Sequence, residues 1–292
     1  MRLAPPLSMA ESAWPWPPQP PPLRTSDLQE VDDYFTYLKT PQARCRKVVI
    51  MGGHHTCGDV TDDLVDGSKV VCMDPPLGLL PIRDPTTCLT LSFGIHFDST
   101  FDVAVSKFNC EVHMFDLLDY SPTELLNTST HAYFHQVGLS DARRQHIYLN
   151  IHQEVPMDTL TGIILNNSLI ARPVNILKVD IEDDEWRVFQ SLSQDPIMDI
   201  IGQVAIEIHA EELNKLAPEQ RLPYVRHRYD ILRALEARGF TKVAYWDNKI
   251  SETFTAASGA AYKTSGEIHY VNSNWYNSSF KENLTKMGVR MR

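Results

Sequence analysis

The sequence predicts an α/β fold built on a mainly parallel sheet, and three observations lead there. Short β-like runs alternate with helical stretches, the pattern of parallel strands joined by crossover helices. Apolar residues make up 43% of the chain and charged residues 22%, which is ordinary globular usage. Eight of the 19 prolines fall within the first 22 positions, leaving a body of roughly 270 residues, near the size at which one core stops growing.

Each element follows from local pattern. Residues 1–24 contain Trp14-Pro15-Trp16-Pro17-Pro18 and Pro20-Pro21-Pro22 and are expected to form a disordered, extended Pro-rich arm. Ser26 with Gln29 resembles a capping box, and Leu28, Val31, Phe35 and Leu38 recur at helical spacing, so 27–39 reads as an amphipathic helix. Strand-like runs follow at Lys47–Met51, Lys69–Met73, Cys88–Phe93, Cys110–Phe115, Tyr133–Val137, Ile176–Ile181, Gln203–Ile208, Lys242–Trp246 and Glu267–Asn272. Helices are expected over 98–108, 121–127, 156–167, 184–193 and 220–238. The last two strands, separated by a Gly- and Ser-containing loop between Asp247 and Gly266, read as an antiparallel hairpin. Residues 25–292 are therefore expected to be one domain, with a 25–87 addition, an 88–275 core and a 276–292 tail.

Several functions are excluded. A formal charge of −10 opposes binding to a phosphate backbone, which needs clustered Lys and Arg, so no nucleic-acid partner is expected. No window approaches 18 consecutive apolar residues, so no membrane-spanning segment and no signal peptide are recognisable. Cys45, Cys57, Cys72, Cys88 and Cys110 form no C-x-x-C pair and predict no metal site; they suit either two disulfides with one free thiol or five buried thiols. N-x-S/T triplets begin at Asn127, Asn166, Asn277 and Asn283. The compartment reads as cytoplasmic from the sequence as given, and as secretory if the N-terminus is incomplete. No nucleophile elbow, H-E-x-x-H or P-loop lysine is present.

In an open parallel sheet, ligands bind beyond the carboxyl ends of the strands. Leu89-Thr90-Leu91-Ser92-Phe93 runs into Gly94-Ile95-His96-Phe97-Asp98, a strand–loop–helix junction whose glycine permits a tight turn and close approach of a ligand to backbone. The next strand ends at Asp116, 22 residues after Gly94, an offset at which an acid can accept both hydroxyls of a ribose. Lys178, Asp180 and Glu182 alternate along a strand that should be apolar if covered on both faces. Asp183 or Asp184 is expected to cap the following helix. Val204-Ala205-Ile206 gives way to Glu207 and His209, so Asp116, Asp180, Glu207 and His209 are expected to converge. The pair His54-His55 and the acids Asp59, Asp62, Asp63 and Asp66 read as solvated loops.

Leu91-Ser92-Phe93-Gly94-Ile95 followed by Cys110-Glu111-Val112-His113-Met114-Phe115-Asp116 resembles an animal family of methyltransferase-like proteins. Lys178-Val179-Asp180-Ile181-Glu182 with Glu207-Ile208-His209 is similar to the pattern of FkbM-type methyltransferases, and Met157-Asp158-Thr159-Leu160 matches a short segment those proteins carry before the fourth strand. The resemblance covers about residues 33 to 274. The loop has Ile95-His96-Phe97 where many relatives have a second glycine, and Asp183 stands where FkbM-type proteins usually have Gly.

The resemblance implies a Rossmann-like class I fold with a seven-stranded sheet and an S-adenosyl-L-methionine-dependent methyltransferase, acting by O-methylation on a small-molecule, glycan or peptide acceptor. It implies that Gly94, His96 and Asp98 face the methionine part of the cofactor, Asp116 the ribose, and Gly138-Leu139-Ser140-Asp141 the adenine. Asp180, with His209 as a further candidate, is expected to orient or deprotonate the acceptor oxygen. The competing readings are a catalytically inactive binding module on the same fold and an NAD-dependent oxidoreductase, the latter disfavoured by the missing glycine fingerprint.

Overall fold

A computed structural model describes residues 28–53, 65–74, 77, 88–148, 153–170 and 172–275. In chain order it contains α1 (Val31–Lys39), β1 (Val48–Met51), β2 (Lys69–Cys72), β3 (Leu89–Phe93), α2 (Thr100–Ser106), β4 (Glu111–Asp116), α3 (Thr123–Thr128) and β5 (Ala132–Gln136). There follow β6 (Gly138–Leu139), β7 (Arg144–Tyr148), β8 (Gln153–Asp158), α4 (Leu160–Asn166), β9 (Val174–Val179), α5 (Glu185–Leu192), β10 (Ile201–His209) and α6 (Pro218–Ala237). The chain closes with β11 (Phe240–Asp247), β12 (Thr253–Thr255), β13 (Ala261–Lys263) and β14 (Ser265–Asn272).

Seven strands form one sheet in the order β5-β4-β3-β9-β10-β14-β11. The pairs among β5, β4, β3, β9 and β10 are parallel, and β14 runs antiparallel to both β10 and β11. This is the expected Rossmann-like class I methyltransferase fold, with strand order reversing beside β3. Every residue of β3, β9 and β10 is buried, as parallel strands covered on both faces require. Tyr34, Phe35, Leu38, Phe189, Leu192, Tyr229, Leu232 and Leu235 cover one face of the sheet, and Phe101, Val105 and Leu125 cover the other together with Met51 and Val71.

The nine strand-like runs all contain strands, but β1 and β2 pair only with each other, antiparallel, outside the main sheet. The helix expected at 156–167 is shorter, because 153–158 is β8 and Thr159 caps the helix by accepting from the Gly162 N–H at 3.0 Å. β6, β7 and β8 form a small second sheet, and the 247–266 loop carries the β12–β13 hairpin. At the start of α1 the Asp33 carboxylate accepts from the Glu30 N–H at 2.8 Å and the Gln29 N–H at 2.7 Å; Ser26 lies outside the described residues. So do the Pro-rich arm, His54-His55, Cys57, Asp59, Asp62, Asp63, Asn277, Asn283 and the tail.

Two disulfides join Cys45 to Cys72 and Cys88 to Cys110. The first ties β2 to the segment before β1, and β2 is clipped to β10 by the Gln203 carboxamide. Gln203 accepts from the Cys72 N–H at 2.8 Å and donates to the Cys72 and Leu77 carbonyls at 3.0 and 3.1 Å. β2 is thereby held against β10 and β14, which matters because it begins with Lys69. Closing a loop of this length stabilises a chain by about 3 kcal/mol. Thiol counting on denatured, unreduced protein is expected to find one free thiol among the five cysteines, that of Cys57; a count of five would show that neither bond forms.

Candidate functional site

A cavity of about 580 Å³ opens at the carboxyl edge of the sheet, where β3, β4, β9 and β10 end. Gly94, directly after β3, has φ +75°, and a Cβ there would collide with the Asp180 carbonyl oxygen, so only glycine fits. The turns after β3 and β9 are in contact and fixed by the Asp180 N–H bonding the Phe93 carbonyl at 3.2 Å, while the Gly94 N–H bonds the Phe115 carbonyl of β4 at 3.0 Å. Lys178 donates to the Gly94 carbonyl.

Asp116, ending β4, braces this turn. One carboxylate oxygen accepts from the Ile95 and His96 N–H groups at 2.8 and 2.9 Å, and the other from the Leu118 N–H at 3.0 Å. A carboxylate has about four acceptor positions, so one is left for a ligand. Gly94, His96, Asp98, Asp116, Asp180 and His209 all line the cavity. Ser140 and Asp141 do not: Gly138, Leu139 and Met157 form that wall instead. The chain turns away after β6, where the Ser140 N–H donates to the Asp158 carbonyl at 2.9 Å and Asp141 pairs with Arg144 and Arg187 at 3.2 and 3.5 Å.

His96, Glu182 and Asp183 have left-handed backbone, at φ +47°, +55° and +73°. Asp183 does not cap α5; its carboxylate pairs with Arg228 at 3.1 Å. Asp184 occupies the cap position without a side-chain hydrogen bond there. Sequence reading assigned the cap from residue type alone, and tertiary pairing with α6 takes the side chain instead.

The centre of the charged cluster is a residue that sequence reading passed over. The fully buried Lys69 ammonium pairs with Glu267 on β14, with Asp180 after β9 at 3.4 Å and with Glu207 on β10 at 3.5 Å. The signal was present as a lysine opening the otherwise apolar run Lys69-Val70-Val71-Cys72. Burial opposes the charge on Lys69, but the three carboxylates outweigh it and raise its pKa. Burial would likewise push Asp180 up, yet Lys69, Lys178 and His209 hold its carboxyl well below the usual range. Glu267 is raised by burial, against the pull of Lys69.

His209 is buried, and its Nδ1 faces Glu185 Oε1 at 3.2 Å; the same oxygen accepts from the His209 N–H at 2.7 Å. Burial lowers its pKa, but Glu185, Glu207 and Asp180 overcome that and push it up to about 10. Asp180 is thus held as a carboxylate and His209 as an imidazolium, a fixed anion beside a fixed cation on the cavity wall.

A family model described as "Methyltransferase domain" matches residues 24–256. Among curated proteins, the chain is 28% identical over 220 residues to the probable methyltransferase-like protein 24 of Rattus norvegicus, covering 75% of this chain and 58% of that protein. It is 26% identical over 251 residues to the protein of the same description from Homo sapiens, covering 85% and 66%. The chain thus spans less than two thirds of the length of either relative. Solved structures similar in outline include a Methanococcus jannaschii fibrillarin pre-rRNA processing protein, with TM-score 0.38, 12% identity and coverage of 78% of this chain and 90% of that one. A putative S-adenosylmethionine-dependent methyltransferase from Listeria monocytogenes gives TM-score 0.38 and 10% identity, covering 65% and 93%.

Lys69→Met is expected to destabilise the fold by about 3–5 kcal/mol at pH 7, because it leaves buried carboxylates uncompensated. Without the ammonium, Asp180 loses the largest of the charges that hold its folded-state carboxyl down, so burial raises it, the ionised form penalises the folded variant, and protonation relieves that penalty. The deficit should shrink as pH falls from 7 to 5. Urea unfolding of both proteins at the two pH values checks this; an equal gap at both would contradict the charge argument.

Proposed function

The chain belongs to this methyltransferase-domain family, and from that premise we propose that it is an S-adenosylmethionine-dependent methyltransferase that methylates an acceptor oxygen. The observation that carries the reading is the bare backbone cradle at Gly94, braced by Asp116 and opening into the cavity. A side chain at Gly94 would run into the Asp180 carbonyl and force apart the two turns that floor the cavity. The donor set suits the cofactor's charge as well. Its sulfonium and ammonium groups are cationic, and Asp98, Asp116, Asp180, Glu182 and Glu207 line the cavity against the cationic Lys178 and His209.

The Gly94 turn would hold the methionine part, Asp116 the ribose with its remaining acceptor position, and Gly138, Leu139 and Met157 the base. S-adenosylmethionine, when bound, supplies a methyl group made electrophilic by its sulfonium. The chain's own residues then have three tasks. Phe93, Phe115, Leu139 and Met157 keep part of the wall apolar and exclude water. Asp180, held ionised, accepts the hydrogen bond of an acceptor hydroxyl and fixes its direction. His209 presents its Nε2–H to an acceptor oxygen.

Calorimetric titration is expected to show binding of both S-adenosylmethionine and S-adenosylhomocysteine, weakened about tenfold or more by Asp116→Ala, which loses about 1.5–3 kcal/mol of hydrogen bonding to a charged group. No binding to folded protein, or undiminished binding by the variant, would overturn the cofactor assignment. Transfer of a labelled methyl group to a panel of glycans, peptides and small hydroxyl compounds tests the reaction; binding without transfer to any of them would favour an inactive module.

A further inference from the structure

Two disulfides and one exposed asparagine bear on where this chain matures. The Cα atoms of Cys45 and Cys72 lie 5.8 Å apart and those of Cys88 and Cys110 4.7 Å apart, both within the range that a cross-link requires. All four cysteines are buried. The second bond joins the residues immediately before the neighbouring strands β3 and β4, and the first closes on the end of β2. Disulfides form and persist in oxidising compartments and are rare where thiols are kept reduced. A chain that matures in a secretory lumen also meets the machinery that glycosylates N-x-S/T triplets.

Two such triplets, at Asn127 and Asn166, lie among the described residues, and their surroundings differ. The carboxamide nitrogen of Asn166, the atom that would carry a glycan, donates to Asp158 Oδ2 at 3.2 Å. Asn166 also lines a second cavity of about 360 Å³ with Arg143 and Met157. A sugar there would break that bond and crowd that cavity. Asn127 is under neither constraint. It is exposed near the end of α3, and its carboxamide makes no hydrogen bond among the described residues. The helix is anchored by Leu125, which packs in the cluster of Phe101, Val105 and Met114. Asn127 lies two residues further on, about 200° around the helix, and so faces away from that contact. Thr123, Glu124 and Thr128 are exposed beside it, and none of residues 123–130 lines the cavity at the carboxyl edge of the sheet.

We propose that Asn127 carries an N-linked oligosaccharide and that the chain folds in an oxidising, secretory lumen. The amide nitrogen of Asn127 bonds to the anomeric carbon of an oligosaccharide borne on a diphosphate lipid. The bond from that carbon to the diphosphate oxygen breaks, the lipid diphosphate leaves with the electron pair, and the amide loses one proton. Nothing is oxidised or reduced in that step. Ser129 supplies the hydroxyl of the Asn127-Thr128-Ser129 triplet. The bulky, hydrated glycan covers the outer side of α3 and leaves the entry to the cavity open. This inference does not rest on the methyl-transfer reading, since it concerns the outer surface and the compartment.

The test uses the full-length protein purified from cells that make it. Peptide-N-glycosidase treatment in heavy-oxygen water converts a glycosylated asparagine to a labelled aspartate, and mass spectrometry is expected to find that label at position 127. Asn127→Gln should migrate as a chain lighter by one oligosaccharide before treatment and should match the wild type after complete treatment. Ser129→Ala keeps the asparagine but removes the hydroxyl of the triplet, and is expected to show the same loss. Both changes fall on residues outside the core, and unfolding curves confirm that the variants fold. An unlabelled peptide spanning Asn127, or a glycan retained at Asn127 in Ser129→Ala, overturns the site. A thiol count of five on the same protein overturns the compartment.

Discussion

The ammonium of Lys69 is the interaction on which the rest of the cavity depends. It enters from β2, outside the main sheet, and meets carboxylates from β10, β14 and the turn after β9. Without a cation there, three acids would face one another in a region that excludes water, and their repulsion would drive the strands' carboxyl ends apart or force protonation. The N-terminal segment is therefore part of the site. Its attachment explains two features that otherwise look unrelated, the Cys45–Cys72 disulfide and the carboxamide of Gln203 bonded to both sides of Cys72. Both fix β2 along its length, which places Lys69 at its other end.

A second constraint is the closeness of the turns after β3 and β9. Gly94 lies against the Asp180 carbonyl, so the two turns can only move together. Around that contact three residues that are not glycine adopt left-handed backbone, His96, Glu182 and Asp183. Such conformations cost of order 1–3 kcal/mol each and persist where surrounding structure over-determines them. The hydrogen bond from the His96 N–H to Asp116 and the Asp183–Arg228 pair supply that surrounding structure. His96 belongs to the Ile95-His96-Phe97 stretch after β3 and Asp183 to the turn after β9, and His and Asp are among the residues other than glycine that tolerate this region best.

Most of the fold was legible because parallel strands buried on both faces must be apolar, and the runs through Leu91, Leu177 and Ile206 have no other use. The same criterion could not separate β1 and β2 from the main sheet, since Val48–Met51 and Lys69–Cys72 have the composition of inner strands. It also misread residues 156–158, where Met157 fits a helical face and a strand equally well and pairing with β6 and β7 decides. In the site, strand ends were readable and side-chain destinations were not. Gly94, Asp116, Asp180 and His209 converge as the ends of neighbouring strands must, whereas Ser140 and Asp141 leave the cavity because β6 stops at Leu139. Lys69 escaped notice because its partners come from β10, β14 and the turn after β9, more than a hundred residues away.

These charges set what the site can do. A general base works best with a pKa near the operating pH, and the two obvious candidates are driven away from it in opposite directions, Asp180 downward by two lysines and His209 upward by Glu185 and its acidic neighbours. One network produces both shifts, so one residue cannot be retuned without disturbing the other. On the proposed reading, a methyl acceptor in this cavity would meet fixed charges that orient it and compensate charge developing on it, with its proton passing to solvent water. Displacement at a sulfonium tolerates that division of labour, because the leaving group departs as a neutral thioether and needs no acid. The demand that remains is alignment of the nucleophile, and a rigid, ionised Asp180 pinned between Lys69 and Lys178 is suited to provide it.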